Sequence, residues 1–107
     1  MKIFISMGMK GKSTEQVKVE MAKVFERLQK KLPEAEHLDS VIEGADKSIA
    51  VKGDDTGVWY LGRSLQIMAE ADIVVFVAGY EQFRGCRIER EVAEAYGKLC
   101  LDFGVAE

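Results

Sequence analysis

The sequence predicts an α/β domain, a small three-layer fold with a parallel sheet of about four strands and helices on both faces. Three observations carry that expectation. Short apolar runs alternate with helical stretches in the order β-α-β-(loop)-α-β-α-β along 107 residues. One run, Ile73 to Ala78, is uninterrupted and rich in β-branched residues, as a strand buried on both faces requires. Consecutive parallel strands also need right-handed crossovers, which place helices on both sides of the sheet.

Residues 2–5, KIFI, form the first expected strand. The loop Ser6 to Ser13, SMGMKGKS, contains two glycines and two lysines and leads into a helix. Ser13 or Thr14 suits its N-cap, and Gln16 stands three residues after Ser13, as a capping box asks. Val17, Met21, Val24, Phe25, Leu28 and Leu32 follow a 3.6-residue period, and Pro33 stops the helix at about Leu32. Leu38 to Glu43 alternates weakly and is read as the second strand. Gly44 to Gly57 reads as an irregular stretch ending in the turn-like GDDTG. From Val58 to Ala71 the pattern is helical again, with Val58, Leu61, Leu65 and Met68 on one face. Asp72 closes the turn into the strand Ile73–Ala78, with a structural role expected for it. A polar loop follows, then a helix with Ile88, Val92 and Ala95 on its apolar face and Glu89 in its first turn. Lys98 to Phe103 is the fourth strand.

This length suits one domain spanning residues 1–107, with a single core. A net charge of −3 gives no reason to expect nucleic acid or an anionic membrane as partner. No apolar run approaches the ~20 residues that span a bilayer, and the start lacks the apolar segment of a signal peptide. Two cysteines, Cys86 and Cys100, make no disulfide framework, which points to a reducing cytoplasm.

Two stretches could carry chemistry. With a glycine in place of Ser6, SMGMKGKS would read as the phosphate-cradling G-x-x-x-x-G-K-S loop. No buried strand ends in an aspartate for magnesium, so P-loop catalysis is not the expectation. Backbone amides with Lys10 or Lys12 at a helix start still suit an anion such as phosphate, against the plainer reading of a solvated turn. Glu89 follows the carboxyl end of a buried parallel strand, where open α/β folds place their chemistry. The plainer reading is an acid complementing the helix dipole, and Glu91 and Glu94 fit a solvated face. Cys86 reads as a small packing residue, since no histidine is near it in sequence, and His37 as a solvated or turn residue. Asp54 and Asp55 give only a weak cation signal. Trp59 and Tyr60 suit stacking on a base or packing in the core.

Taken together, KIFISMGMKGKS, VWYLGRSLQIMAEADIVVFVAG and RGCRIEREVAEAYG resemble segments of the nucleoside 2-deoxyribosyltransferase-like family, in that family's order and over about half the chain. The closing motif of that family is matched by Gly85, Glu89, Ala93 and Gly97. The resemblance implies a flavodoxin-like (Rossmann-like) sheet and a glutamate, here Glu89, that attacks C1′ of a deoxyribose and displaces the base. It implies a first loop against the sugar or its phosphate, with Ser6, Gly8, Lys10, Gly11 and Lys12 at matching positions, and Tyr60, Gly85 and Arg87 as further substrate-binding candidates. It also implies a small nucleoside or nucleotide as partner, no metal or other cofactor, and a homo-oligomer in which a neighbour completes the pocket. Three departures stand out. Eight residues before Asp72, where the active enzymes carry an aspartate that helps protonate the leaving base, this chain has Ser64 as the remaining catalytic candidate. Phe83 stands where they carry aspartate or serine, and a first-loop tyrosine is missing. General acid catalysis is worth ~10²–10⁴-fold, so these departures keep two alternatives open: a catalytically weak or inactive nucleotide-binding or sensor module, and an interaction protein on the same fold.

Overall fold

The computed structural model describes residues 1–8, 11–39 and 55–104. Its elements are β1 (Lys2–Ser6), α1 (Thr14–Lys31), β2 (Glu36–Leu38), α2 (Asp55–Met68), β3 (Ile73–Val77), a 3₁₀ turn (Tyr80–Gln82), α3 (Arg84–Ala95) and β4 (Leu99–Phe103). The four strands are all parallel, in the order β2-β1-β3-β4. This is the small flavodoxin-like α/β arrangement that the alternation of strands and helices predicts.

Strand periodicity divides the core into two layers. Ile3 and Ile5 of β1 and Ile73 and Val75 of β3 join Val17, Met21, Val24 and Leu28 of α1 on one face. Phe4, Val74 and Phe76 point the other way, against Met68 at the end of α2 and Ala93 of α3. Each fully buried aliphatic side chain contributes roughly 1.5–3 kcal/mol, so both faces of β1 and β3 hold the sheet between helices. The capping box forms as the spacing asks: Gln16 N–H donates to Ser13 Oγ (3.1 Å) and Ser13 N–H to Gln16 Oε1 (2.8 Å). Leu32 follows the last helical residue of α1, one residue before Pro33.

Several boundaries differ from the sequence reading. β2 lies at Glu36–Leu38 and stops before Asp39; residues 40–43 of the expected strand and 44–54 of the irregular stretch lie outside the described residues. α2 begins at Asp55 and not at Val58, and ends at Met68, where Ala69, Glu70 and Ala71 turn back by donating to Leu65, Ile67 and Met68. His37 is a strand residue and not a solvated one: its ring stacks on Phe25 at 5.1 Å and 20°. Its Nε2 is buried without a hydrogen-bond partner among the described residues, and burial holds its pKa below the ordinary value. α3 begins at Arg84, so Glu89 lies in its second turn and not its first. Its buried stripe is Cys86, Glu89 and Ala93, with Val92 half-buried, whereas Ala95 is exposed near the helix end. The apolar period expected there is thus offset, because one position of the buried face is a carboxyl.

Asp72 is structural. Its carboxylate accepts the Lys2 N–H at 2.7 Å and its own N–H donates to the Lys2 carbonyl at 2.8 Å, joining the amino ends of β1 and β3. No helix among the described residues is long and apolar enough to cross a membrane.

Candidate functional site

β1 leaves the sheet toward α1 on one face, and β3 leaves toward α3 on the other. The crevice between such oppositely directed connections is where open α/β sheets bind ligands. Ser6, the last residue of β1, points to the α2–α3 side because its neighbours Ile3 and Ile5 point to α1. α3 presents Glu89 to the same place on its buried stripe. The Ser6 hydroxyl donates to Glu89 Oε1 at 2.8 Å, across 83 residues of sequence.

Glu89 is only 7% exposed. Burial pushes its pKa up to about 7, and the Ser6 hydrogen bond works in the opposite direction. A carboxyl so placed exchanges its proton near neutral pH, as a group that must react or relay a proton does. Cys86 lies three residues earlier on the same stripe and is buried. Burial and the nearby Glu89 carboxylate raise its thiol pKa, with the Ser6 hydrogen bond opposing them. Cys86 is therefore a protonated packing residue at neutral pH and not a nucleophile.

Phe83, the residue before α3, packs against the loop that follows β1. Its ring lies so near Gly8 that a Cβ at Gly8 would sit 2.1–2.3 Å from three ring carbons. Gly8 is required by this contact, which fastens the loop after β1 to the start of α3. Gly8→Ala is expected to destabilise the fold by roughly 1–3 kcal/mol through overpacking. In denaturant titrations the double variant Gly8→Ala/Phe83→Ala should lose clearly less than the sum of the single losses.

The three glutamates of α3 separate by environment. Glu91 is exposed, and Glu94 accepts a hydrogen bond from Arg90 Nε at 2.6 Å. Arg90 also donates to Asp102 Oδ1 at 2.8 Å and lies over the rings of Phe76 (4.8 Å) and Tyr80 (5.6 Å), binding α3 to β3 and β4. Only Glu89 of the three is buried and bonded to the sheet.

The other predicted site residues are dispersed. Lys12 is held by Glu20 at 2.7 Å on α1, and Gly11 is an exposed turn residue with φ 83°. Lys10 lies outside the described residues. Gly85 is exposed, and Arg87 donates to the Glu81 carbonyl, fastening the 3₁₀ turn to α3. Tyr60 is half-buried, edge-on to Trp59 at 5.1 Å. Ser64 is half-buried on α2, but the hydroxyl that binds Glu89 is that of Ser6. The fold therefore bonds Ser6 to Glu89, packs Phe83 against Gly8 two residues beyond Ser6, and sets Cys86 on the same buried stripe as Glu89.

An apolar cavity of about 350 Å³ between α2 and α3 lies at the opposite, amino end of the sheet, lined by Leu65, Met68, Ala69, Val92, Tyr96 and Lys98. Its one charged group, the Lys98 ammonium, is spent on the carbonyls of Ala69 and Ala71 at 2.8 Å each. Reactive groups gather at the carboxyl edge instead. No family model, curated protein or solved structure matches this chain.

Proposed function

We propose that this protein acts on the N-glycosidic bond of a (deoxy)nucleoside or nucleotide, by transfer or hydrolysis, as a relative of the nucleoside 2-deoxyribosyltransferase-like family. The buried Glu89 carboxyl, hydrogen-bonded by Ser6 at the carboxyl edge of the sheet, carries this reading. In the first step a Glu89 oxygen bonds to C1′ and the C1′–N bond breaks. The base leaves with the bonding electrons and takes up a proton, giving a glycosyl ester of Glu89. Water or a second base then attacks C1′, and the carboxylate is released. Ser6 holds one carboxyl oxygen and so orients the other for attack.

Reverse-phase separation of reaction mixtures containing deoxynucleosides or their 5′-monophosphates would detect the released base. Release by the wild-type chain and its loss in Glu89→Ala is the expected outcome, and release that survives the substitution unchanged refutes the assignment. A positioning role for Ser6 has its own signature. Because its hydrogen bond lowers the Glu89 pKa, Ser6→Ala should move the rising limb of the pH–rate profile to higher pH. A merely structural Ser6 would lower the rate without moving the limb.

A second reading is a nucleotide-binding or sensor module without turnover. It is favoured by the apolar Phe83 ring packed on Gly8 and by the position of Ser64, which is not the hydroxyl joined to Glu89. Under that reading a nucleotide raises the melting temperature and no base appears.

A further inference from the structure

Three polar groups meet on the α2–α3 side of the sheet. Ser6 and Glu89 are 2% and 7% exposed and are joined at 2.8 Å. Cys86 stands three residues before Glu89 on the buried stripe of α3, a spacing that sets both on one helix face. Its thiol is buried as well and hydrogen-bonds Ser6. The serine hydroxyl is therefore the middle of a chain, with a thiol on one side and a carboxyl on the other. We propose that Cys86, Ser6 and Glu89 form a hydrogen-bond relay whose direction reverses when Glu89 gains or loses its proton, with Cys86 as a positioning residue of the site.

Counting hydrogens gives the two directions. A serine hydroxyl has one hydrogen and two lone pairs, a thiol one hydrogen and weak acceptor capacity, and a carboxylate no hydrogen. With Glu89 ionised, the single Ser6 hydrogen goes to Oε1, so the thiol hydrogen makes the other contact by donating to Ser6 Oγ. With Glu89 protonated, its O–H donates to Ser6 Oγ, and the Ser6 hydrogen turns to Cys86 Sγ. Every hydrogen of the relay has an acceptor in both states, so a buried carboxyl can titrate without orphaning a neighbour. The thiol suits the far end because burial keeps it protonated while the carboxyl changes. When it donates, it polarises the Ser6 hydroxyl and strengthens that group's hold on the carboxylate. The surroundings leave the relay to itself. β3 presents Val74 and Phe76 on this side and α2 presents Met68, all apolar. The charged and titratable groups there, Arg90, Glu94, Asp102 and Tyr80, are engaged with one another. The positioning role rests on the reading of Glu89 as the reacting carboxyl, whereas the relay itself is measured without turnover.

The infrared S–H stretch reads the relay in the unaltered chain. Cys86 and Cys100 are both free thiols, and Cys100→Ser identifies which band belongs to Cys86. That band should move to lower frequency as pH rises through about 7, because the thiol then becomes a donor. A Cys86 band that keeps its frequency across the Glu89 titration overturns the proposal. The carboxyl carbon resonance of Glu89 gives a second arm. Cys86→Ser sets a stronger donor behind Ser6 and should weaken proton binding at Glu89 roughly two- to fourfold. In a Ser6→Ala background the same substitution should leave the Glu89 titration unchanged. An unmoved titration in folded Cys86→Ser, or a shift of equal size without the Ser6 hydroxyl, shows that Cys86 only packs. The infrared arm decides if the serine variant does not fold. Neither arm depends on released base, so failure of the relay and failure of the N-glycosidic reading are told apart.

Discussion

Glu89→Gln is expected to make the protein more stable at pH 8 by about 1–3 kcal/mol, and to change it little at pH 4.5. The folded chain keeps the Glu89 proton up to about pH 7, whereas an unfolded carboxyl releases it near the reference value of 4.5. Below that lower value both states are protonated and the group contributes no pH dependence. Between the two values folding takes up a proton, so stability falls as pH rises, and above about 7 the full ionisation cost of about 3 kcal/mol is present. Glutamine removes that cost and can still accept the Ser6 hydroxyl, although its buried amide N–H groups offset part of the gain. For a chain of this size the gain corresponds to a Tm rise of roughly 5–15 °C. Thermal melts of both proteins at the two pH values check it. Equal shifts at pH 4.5 and pH 8 would show that Glu89 is not the buried, proton-holding group described here.

The second large effect is on turnover. Removing a covalent nucleophile costs on the order of 10⁴-fold or more in other enzymes, and base release by Glu89→Ala should fall by a comparable factor. In the wild type, kcat/KM should rise with pH and level off above about 7, because the attacking form is the carboxylate. A rate that instead falls through pH 7 would assign Glu89 the role of a proton donor. Stability and activity thus point in opposite directions at one residue. A packed carboxyl that weakens the fold at working pH has a reason to be there only if it does something.

Much of this architecture is legible in the sequence, for reasons that are local. Ser13 and Gln16 write the start of α1, Pro33 writes its end, and the unbroken Ile73–Val77 run marks a strand buried on both sides. β2 is less legible because three residues bonded to one neighbour carry little period of their own. The motif of the family the chain resembles, matched from Gly85 to Gly97, singles out Glu89 among three glutamates, and Glu89 is the one of the three that is buried. Its partner was visible only in part. Ser6 ends an alternating strand with a polar residue, a hint of function at the sheet edge, but nothing local says that its hydroxyl meets residue 89. Phe83 is legible only as a departure from the motif of the family the chain resembles. Its contact with Gly8 joins segments 75 residues apart in the chain, and no local pattern encodes such a meeting. Lys12 and Arg87 illustrate the reverse. Their charges suggest an anion, while the fold occupies them with Glu20 and the Glu81 carbonyl.

The role of Glu89 is tested most directly by trapping the ester. A 2′-fluorinated nucleoside slows breakdown of a glycosyl ester, so the chain incubated with one and digested should yield the peptide containing Glu89 heavier by the fluorosugar, with one equivalent of base released. Base released with the adduct on another residue, or no adduct and no release from any nucleoside or nucleotide offered, contradicts a nucleophilic Glu89.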